Sequence, residues 1–145
     1  MSDNEMYVVK RDGEKEEVSF DKILRRIKTL GKDANLTSVN YSSLCLKVID
    51  QLYDGIPTTK LDELAAEQCA SMNTIHYDYG TLASRISLSN LHKKTSGSFF
   101  SVAKMLFEHD LLSGDVWSVL QENLTKIENA IDYQRDFLID YFGFN

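Results

Sequence analysis

The sequence predicts an α+β protein that is mainly α: a small N-terminal β-hairpin followed by consecutive helices. Three observations predict it. Met6 to Arg11 is rich in β-branched and aromatic residues. Asp12-Gly13 comes next, a preferred pair for a tight hairpin turn whose central residues take positive φ. Beyond it, apolar residues recur at helical spacing, and the stretches are divided by turn formers.

Glu16-Glu17-Val18 makes the return strand. Ser19 is the expected N-cap of the first helix, with Asp21 in the first turn, where the helix dipole favours a carboxylate. That helix carries Phe20, Ile23, Leu24, Ile27 and Leu30 on one face and is expected to end at Gly31. The second carries Leu44, Cys45, Val48, Ile49 and Leu52, and stops at Gly55-Ile56-Pro57. The third starts at Thr58-Thr59, and Thr59 with Asp62 fits a capping box. Its apolar stripe is Leu61, Leu64, Ala65, Cys69 and Met72. The fourth begins near Asp78, runs through Tyr79, Leu82, Ala83 and Ile86 towards Leu91, and Gly97 breaks it. Phe99, Val102, Ala103 and Leu106 suggest a further helix. After a turn at Ser113-Gly114-Asp115, the residues Trp117, Leu120, Leu124, Ile127 and Ile131 mark a long amphipathic one. The end, YQRDFLIDYFGFN, is aromatic, and a tail that apolar leaves a sizeable exposed patch unless something covers it.

A chain of 145 residues suits one domain, or one small domain plus the start of another, and buries a core without staples. The formal net charge of -6 argues against a general nucleic-acid coat, because phosphate binding needs a basic face. Any bound phosphate must therefore meet a local cationic cluster. Cys45 and Cys69 have no second Cys or His at metal-ligand spacing, so they read as small buried hydrophobes in a reducing cytosol, with no zinc site. No apolar run approaches the ~18 residues of a membrane span, and Met1 to Glu5 does not read as a signal peptide. The glycosylation-like triplets at Asn35, Asn40 and Asn123 are then chance matches. The chain lacks both the Gly-x-x-x-x-Gly-Lys loop and Gly-x-Gly-x-x-Gly, which excludes the common nucleotide hydrolase and dinucleotide patterns.

Charges crowd the junction of hairpin and helix. Lys10 and Arg11 sit at the turn, and Glu16, Asp21 and Lys22 follow. A solvated hairpin tip explains them, and so does a site for an anion such as a nucleotide phosphate. Likewise Asp62 reads as a helix cap, and Lys93 as a helix-end cation favoured by the dipole. His76, His92 and His109 read as surface or capping residues.

Four segments carry a resemblance: YVVKRDGEKEEVSFDKI, LYDGIPTTKLDELAAE, HYDYGTLASRISLSNLHKKT and RDFLIDYFGF, in order along nearly the whole chain. The opening one resembles the ATP-cone, a small nucleotide-sensing module. Together they resemble the N-terminal region of the class I ribonucleotide reductase large subunit of eukaryotic and viral type. The region from Ser96 to Ile131 is the least family-like. The resemblance implies a β-cap over a four-helix bundle with nucleotide bound between them. It implies an overall activity switch: ATP turns the reductase on and dATP turns it off, through a change in oligomeric state. It implies that Lys10 and Arg11 serve the phosphates, and that Glu16, Glu17, Val18, Ser19, Phe20, Asp21, Lys22 and Ile23 wrap the nucleotide. Glu16 and Asp21 would be acceptors for polar edges, Phe20 and Ile23 apolar contacts. Thr58 and Asp62 join at the start of the third helix, and Lys93 is a further phosphate contact. The effector is ATP or dATP with Mg2+; the protein itself contributes no metal site.

The sequence departs from its relatives at Tyr7, where many have His, at Pro57 in place of a common Thr, and at Tyr77 in place of Pro. The first bears on base stacking or phosphate contact, and the others on helix starts. The expected division is residues 1–97 as the cone and 98–145 as the helical start of a catalytic region whose barrel is missing. The radical cysteine, redox cysteine pair and tyrosine relay of that chemistry are absent, so the chain alone is expected to bind nucleotide without reducing one. Its expected partners are the rest of the large subunit, further copies in a homo-oligomer and, indirectly, the small radical-generating subunit, in the cytoplasm, with no nucleic acid or membrane. A stand-alone cone regulator of assembly or transcription is the alternative; such repressors carry a zinc ribbon ahead of the cone, and only five residues without Cys precede Met6. A helical interaction module that has lost its nucleotide is a third reading, opposed by the retention of Lys10, Glu16, Thr58, Asp62 and Lys93.

Overall fold

The computed structural model describes residues 6–144; the signal-peptide reading of Met1 to Glu5 lies outside the described residues. The chain forms two compact units. One comprises the chain up to Asn90 together with the segment from Ile139; the other is Leu91–Leu138.

The first unit opens with strands β1 (Tyr7–Val9) and β2 (Lys15–Glu17), paired antiparallel with Val8 opposite Glu16. The return strand thus starts one residue earlier than expected. The turn also differs from the expected two-residue form. Gly13 alone takes positive φ, at 88°, and Asp12 does not. The Gly13 N–H donates to the Lys10 carbonyl at 3.0 Å, and the Lys10 N–H to the Glu14 carbonyl at 2.8 Å. The result is a three-residue loop, Arg11 to Gly13, closed by a glycine bulge.

A third strand, β3 (Ile56–Pro57), was not expected. It pairs parallel with β1, Val8 opposite Ile56 and Val9 opposite Pro57, giving the order β2-β1-β3. Two residues are too few to show an alternating pattern, and Pro demotes a strand reading. Yet Ile56 is fully buried.

Helices α1 (Phe20–Asp33), α2 (Tyr41–Ile49), α3 (Thr58–Ser71) and α4 (Tyr77–Lys94) follow. All four contribute to one core: Ile23 and Ile27 from α1, Leu44 and Val48 from α2, Ala65 and Cys69 from α3, Leu82 and Ile86 from α4. The spacing of four residues puts each pair on one helix face. Tyr141, near the end of the chain, packs against the same core.

Gly31 does not end α1. The helix continues to Asp33 and closes on Asn35, which takes φ 57°. The Leu36 N–H reaches the Gly31 carbonyl and the Asn35 N–H the Lys32 carbonyl, both at 3.0 Å, which is a Schellman closure with Asn in place of the usual Gly. Gly31 instead makes room: a Cβ there would lie 2.8 Å from two ring carbons of Tyr41. The Tyr41 hydroxyl is held nearby, donating to the Leu36 carbonyl at 2.8 Å. The expected capping box is also not formed. Pro57 is the N-cap of α3, so Thr59 lies inside the helix, and Asp62 is used elsewhere.

In the second unit α5 (Phe99–Glu108), α6 (Gly114–Glu122) and α7 (Leu124–Ala130) are followed by a 3-10 segment, Tyr133–Leu138. Ser98 and Ser113 cap α5 and α6, accepting from the Ser101 and Val116 N–H groups. Phe100 and Phe107 stack on Trp117 with ring centroids 5.5 and 5.1 Å apart. The long helix expected through Trp117 to Ile131 is two helices broken at Asn123, whose side-chain amide donates to the Val119 carbonyl at 2.9 Å. Asn competes with the helix for backbone partners, and the chain turns there. Apolar side chains remain exposed in this unit, among them Leu138 at 82%, and in the first unit Phe142 is 72% exposed. No helix among the described residues is long and apolar enough to cross a membrane.

Candidate functional site

The sheet order decides which sequence-distant groups meet. Since Val9 pairs with Pro57 in parallel, the next residues, Lys10 and Thr58, leave neighbouring strands at the same end. Thr58 is the first residue of α3. Its N-cap is Pro57, which offers no side-chain acceptor, and the N-cap of α1, Ser19, makes no side-chain capping bond either. Two helix starts of the first unit therefore lack side-chain caps. Such ends present N–H groups and a positive dipole, the elements of an anion site.

Three of the expected site residues come together. Lys10 Nζ lies 2.9 Å from Glu16 Oε2, and Lys22 Nζ pairs with Glu16 Oε1. The hydrogen bond from Lys22, then that from Lys10, holds the Glu16 carboxyl down at about 2. The same contact raises the Lys10 ammonium above its ordinary range. At neutral pH the cluster thus carries two cations and one anion, and it is partly open to solvent. A phosphate approaching these lysines competes with Glu16.

The other expected residues fall into different settings. Arg11 is exposed, and its guanidinium donates to Asn90 Oδ1 at 2.6 Å, tying the hairpin to α4. Val18 is half-buried, its N–H donating to the Met6 carbonyl at 2.8 Å, and Glu17 ends β2 on the exposed side. Phe20 is half-buried against the core, and Ile23 is a core residue at 7% exposure. Asp21 is exposed in the first turn of α1. Lys93 lies in the last turn of α4, on the stretch that belongs to the second unit.

Asp62 is only 5% exposed, and both its oxygens accept from Arg26: Nε to Oδ1 and Nη2 to Oδ2, each at 2.8 Å. A carboxylate so buried requires a paired charge. The fork geometry of Arg meets both oxygens at once. Sequence reasoning missed Arg26 and Asn90. Asp62 did carry a signal, since it falls between Leu61 and Ala65 in the apolar stripe of α3. The sequence cannot tell which of several cations reaches it.

Cys45 and Cys69 are fully buried, and burial pushes their thiols up to about 11 and about 12. They stay protonated and act as small hydrophobes. Among the described residues no group of three or more His, Cys, Asp or Glu could hold a metal ion.

A family comparison joins these features. Residues 6–94 match the ATP cone domain. The chain belongs to the ATP cone family. It is also similar over nearly its full length to much longer proteins. It is 46% identical to the ribonucleoside-diphosphate reductase large subunit of Caenorhabditis elegans, across 97% of this chain and 19% of that protein. It is 44% identical to the large subunit of Dictyostelium discoideum, across 98% and 18% respectively. With the large subunit of Monkeypox virus it shares 39% identity, across 96% and 19%. The chain thus spans about a fifth of the length of the curated relatives it matches. Eukaryotic and viral sequences both appear, in line with the resemblance drawn from the four segments.

Proposed function

We propose that this chain is the ATP- and dATP-binding activity switch of a ribonucleoside-diphosphate reductase large subunit. The observation that carries the reading is the parallel β1–β3 pair, which sets Lys10 beside the uncapped start of α3 at Thr58. Lys10 and Lys22 supply charge for the triphosphate, and the α3 start supplies N–H donors. Glu16, once separated from the lysines, and Asp21 supply acceptors for the adenine amine or ribose. Mg2+ accompanies the triphosphate and is held by its oxygens, as a hard cation of this kind usually is. Glu17 to Phe20 and Ile23 shape the wall of the site.

In this reading residues 1–97 form the cone and 98–145 begin the catalytic region. The exposed apolar side chains near the end of the chain, Leu138 and Phe142 among them, are the surface that the rest of the large subunit covers. The chain alone is expected to reduce no nucleotide, because the radical cysteine, redox cysteine pair and tyrosine relay that the resemblance calls for are not in it. Effector binding acts on catalysis through the assembly of large subunits, and on the small subunit through them.

Calorimetry of the chain with ATP, dATP and GTP tests the reading. Binding of both adenine nucleotides, with GTP weaker, is expected. Absence of adenine nucleotide binding, or equal binding of GTP, overturns it.

A further inference from the structure

We infer that Arg26 is a positioning residue that sets how strongly the site distinguishes ATP from dATP. The inference rests on the nucleotide-site reading above and deepens it.

The argument starts from a closed ring of links within the first unit. Lys10, just beyond β1, holds Glu16, and Glu16 holds Lys22 on α1. Arg26 lies one helical turn beyond Lys22 and holds Asp62 on α3. Asp62 lies one turn beyond Thr58, and Thr58 follows β3, which pairs back onto β1. Each link is a hydrogen-bonded ladder, a helical turn or an ion pair. A nucleotide that draws Lys10 and Lys22 away from Glu16 therefore loads α1 against α3. Arg26 with Asp62 is the polar contact that resists.

Two features give this contact its role. The pair is bidentate, so it fixes both the rotation and the position of the Asp62 carboxylate, which a single-point contact would not do. The cavity beside it has a volume of only about 20 Å3 and is otherwise lined by apolar side chains, including Ile23, Leu61 and Ile86. A space of that size leaves the pair packed among apolar side chains. Arg26 acts by placing Asp62 and the start of α3. ATP and dATP differ by one hydroxyl, and a difference that small is read only by a frame held in fixed geometry.

The test is calorimetry with ATP and with dATP on the unaltered chain, on Arg26→Lys and on the double variant Arg26→Met/Asp62→Leu, with thermal unfolding alongside. Arg26→Lys keeps the charge and loses the fork. It is expected to bind both nucleotides while the ratio of the two dissociation constants changes by about fivefold, the size of one hydrogen bond. The double variant replaces the pair by apolar groups, an exchange that buried ion pairs often tolerate, and it is expected to show a change of the same sense. A lowered unfolding temperature with an unchanged ratio in either folded variant makes the pair a structural tie and overturns the inference. Failure of both variants to fold does the same. If the unaltered chain binds neither nucleotide, the nucleotide-site reading itself fails, and that outcome is distinct from binding with an unchanged ratio.

Discussion

Val9 lies opposite Pro57 in a parallel pair, and this places Lys10 beside Thr58 although two helices separate them along the chain. A cation and a helix start thereby face one region. Neither makes an anion site alone; a phosphate between them meets a full charge and oriented N–H groups together.

Lys10→Ala is expected to weaken ATP binding by at least about tenfold, because charge-assisted hydrogen bonds contribute about 1.5–3 kcal/mol. The stability of the chain should change by less than about 1 kcal/mol, as for an exposed ion pair. Calorimetry and urea unfolding read the two effects separately. A binding loss no larger than the change in stability makes Lys10 an ordinary hairpin cation.

Glu16 gives the fold an acid-side dependence. Its carboxyl titrates at about 2 in the folded chain against an ordinary 4.5, so the folded state favours the charged form. The resulting stability is fully present above about pH 4.5 and is lost as pH falls through about 2. In Glu16→Gln that part of the acid dependence disappears. Unfolding temperatures of both chains across this range check it, and parallel curves would contradict it.

Gly31→Ala separates helix propensity from packing. Propensity alone favours Ala by about 0.8–1 kcal/mol in a helix interior. The Tyr41 ring carbons at 2.8 Å from the added Cβ reverse the sign. Overpacking of this kind typically costs about 1–3 kcal/mol, so after the propensity gain a net loss of up to about 2 kcal/mol is expected in denaturant unfolding. A gain in stability would show that Tyr41 moves aside freely.

Asp62→Asn keeps the side-chain shape but turns one acceptor towards Arg26 into a donor. The chain is expected to lose about 1–3 kcal/mol of stability and to retain ATP binding. In a full-length large subunit the same change should blunt the response to dATP, read as reductase activity and particle mass against dATP concentration. Undiminished dATP inhibition would leave Asp62 as a structural residue only.

Much of the fold was legible because it depends on local rules. The helical spacing of Ile23 with Ile27, or of Leu82 with Ile86, announces a buried face wherever that face goes. Gly13 marks a turn because a left-handed φ is needed there. The cluster of Lys10, Glu16 and Lys22 was legible for a similar reason: a short hairpin leading into a helix leaves little freedom in where these side chains lie.

What the tertiary structure decided is long-range. A two-residue strand carries no period, so only its partner reveals Ile56–Pro57 as part of the sheet. Gly31 reads as a helix stop, but Tyr41, supplied by the next helix, gives it another purpose, and Asn35 closes α1 instead. Asp62 reads as a cap by spacing, and burial makes it a charge that must be paired. Sequence alone dictated that α1 carries cations near its start and middle. The packing of α1 on α3 chose Arg26 among them, whose planar guanidinium meets both oxygens of a carboxylate removed from water.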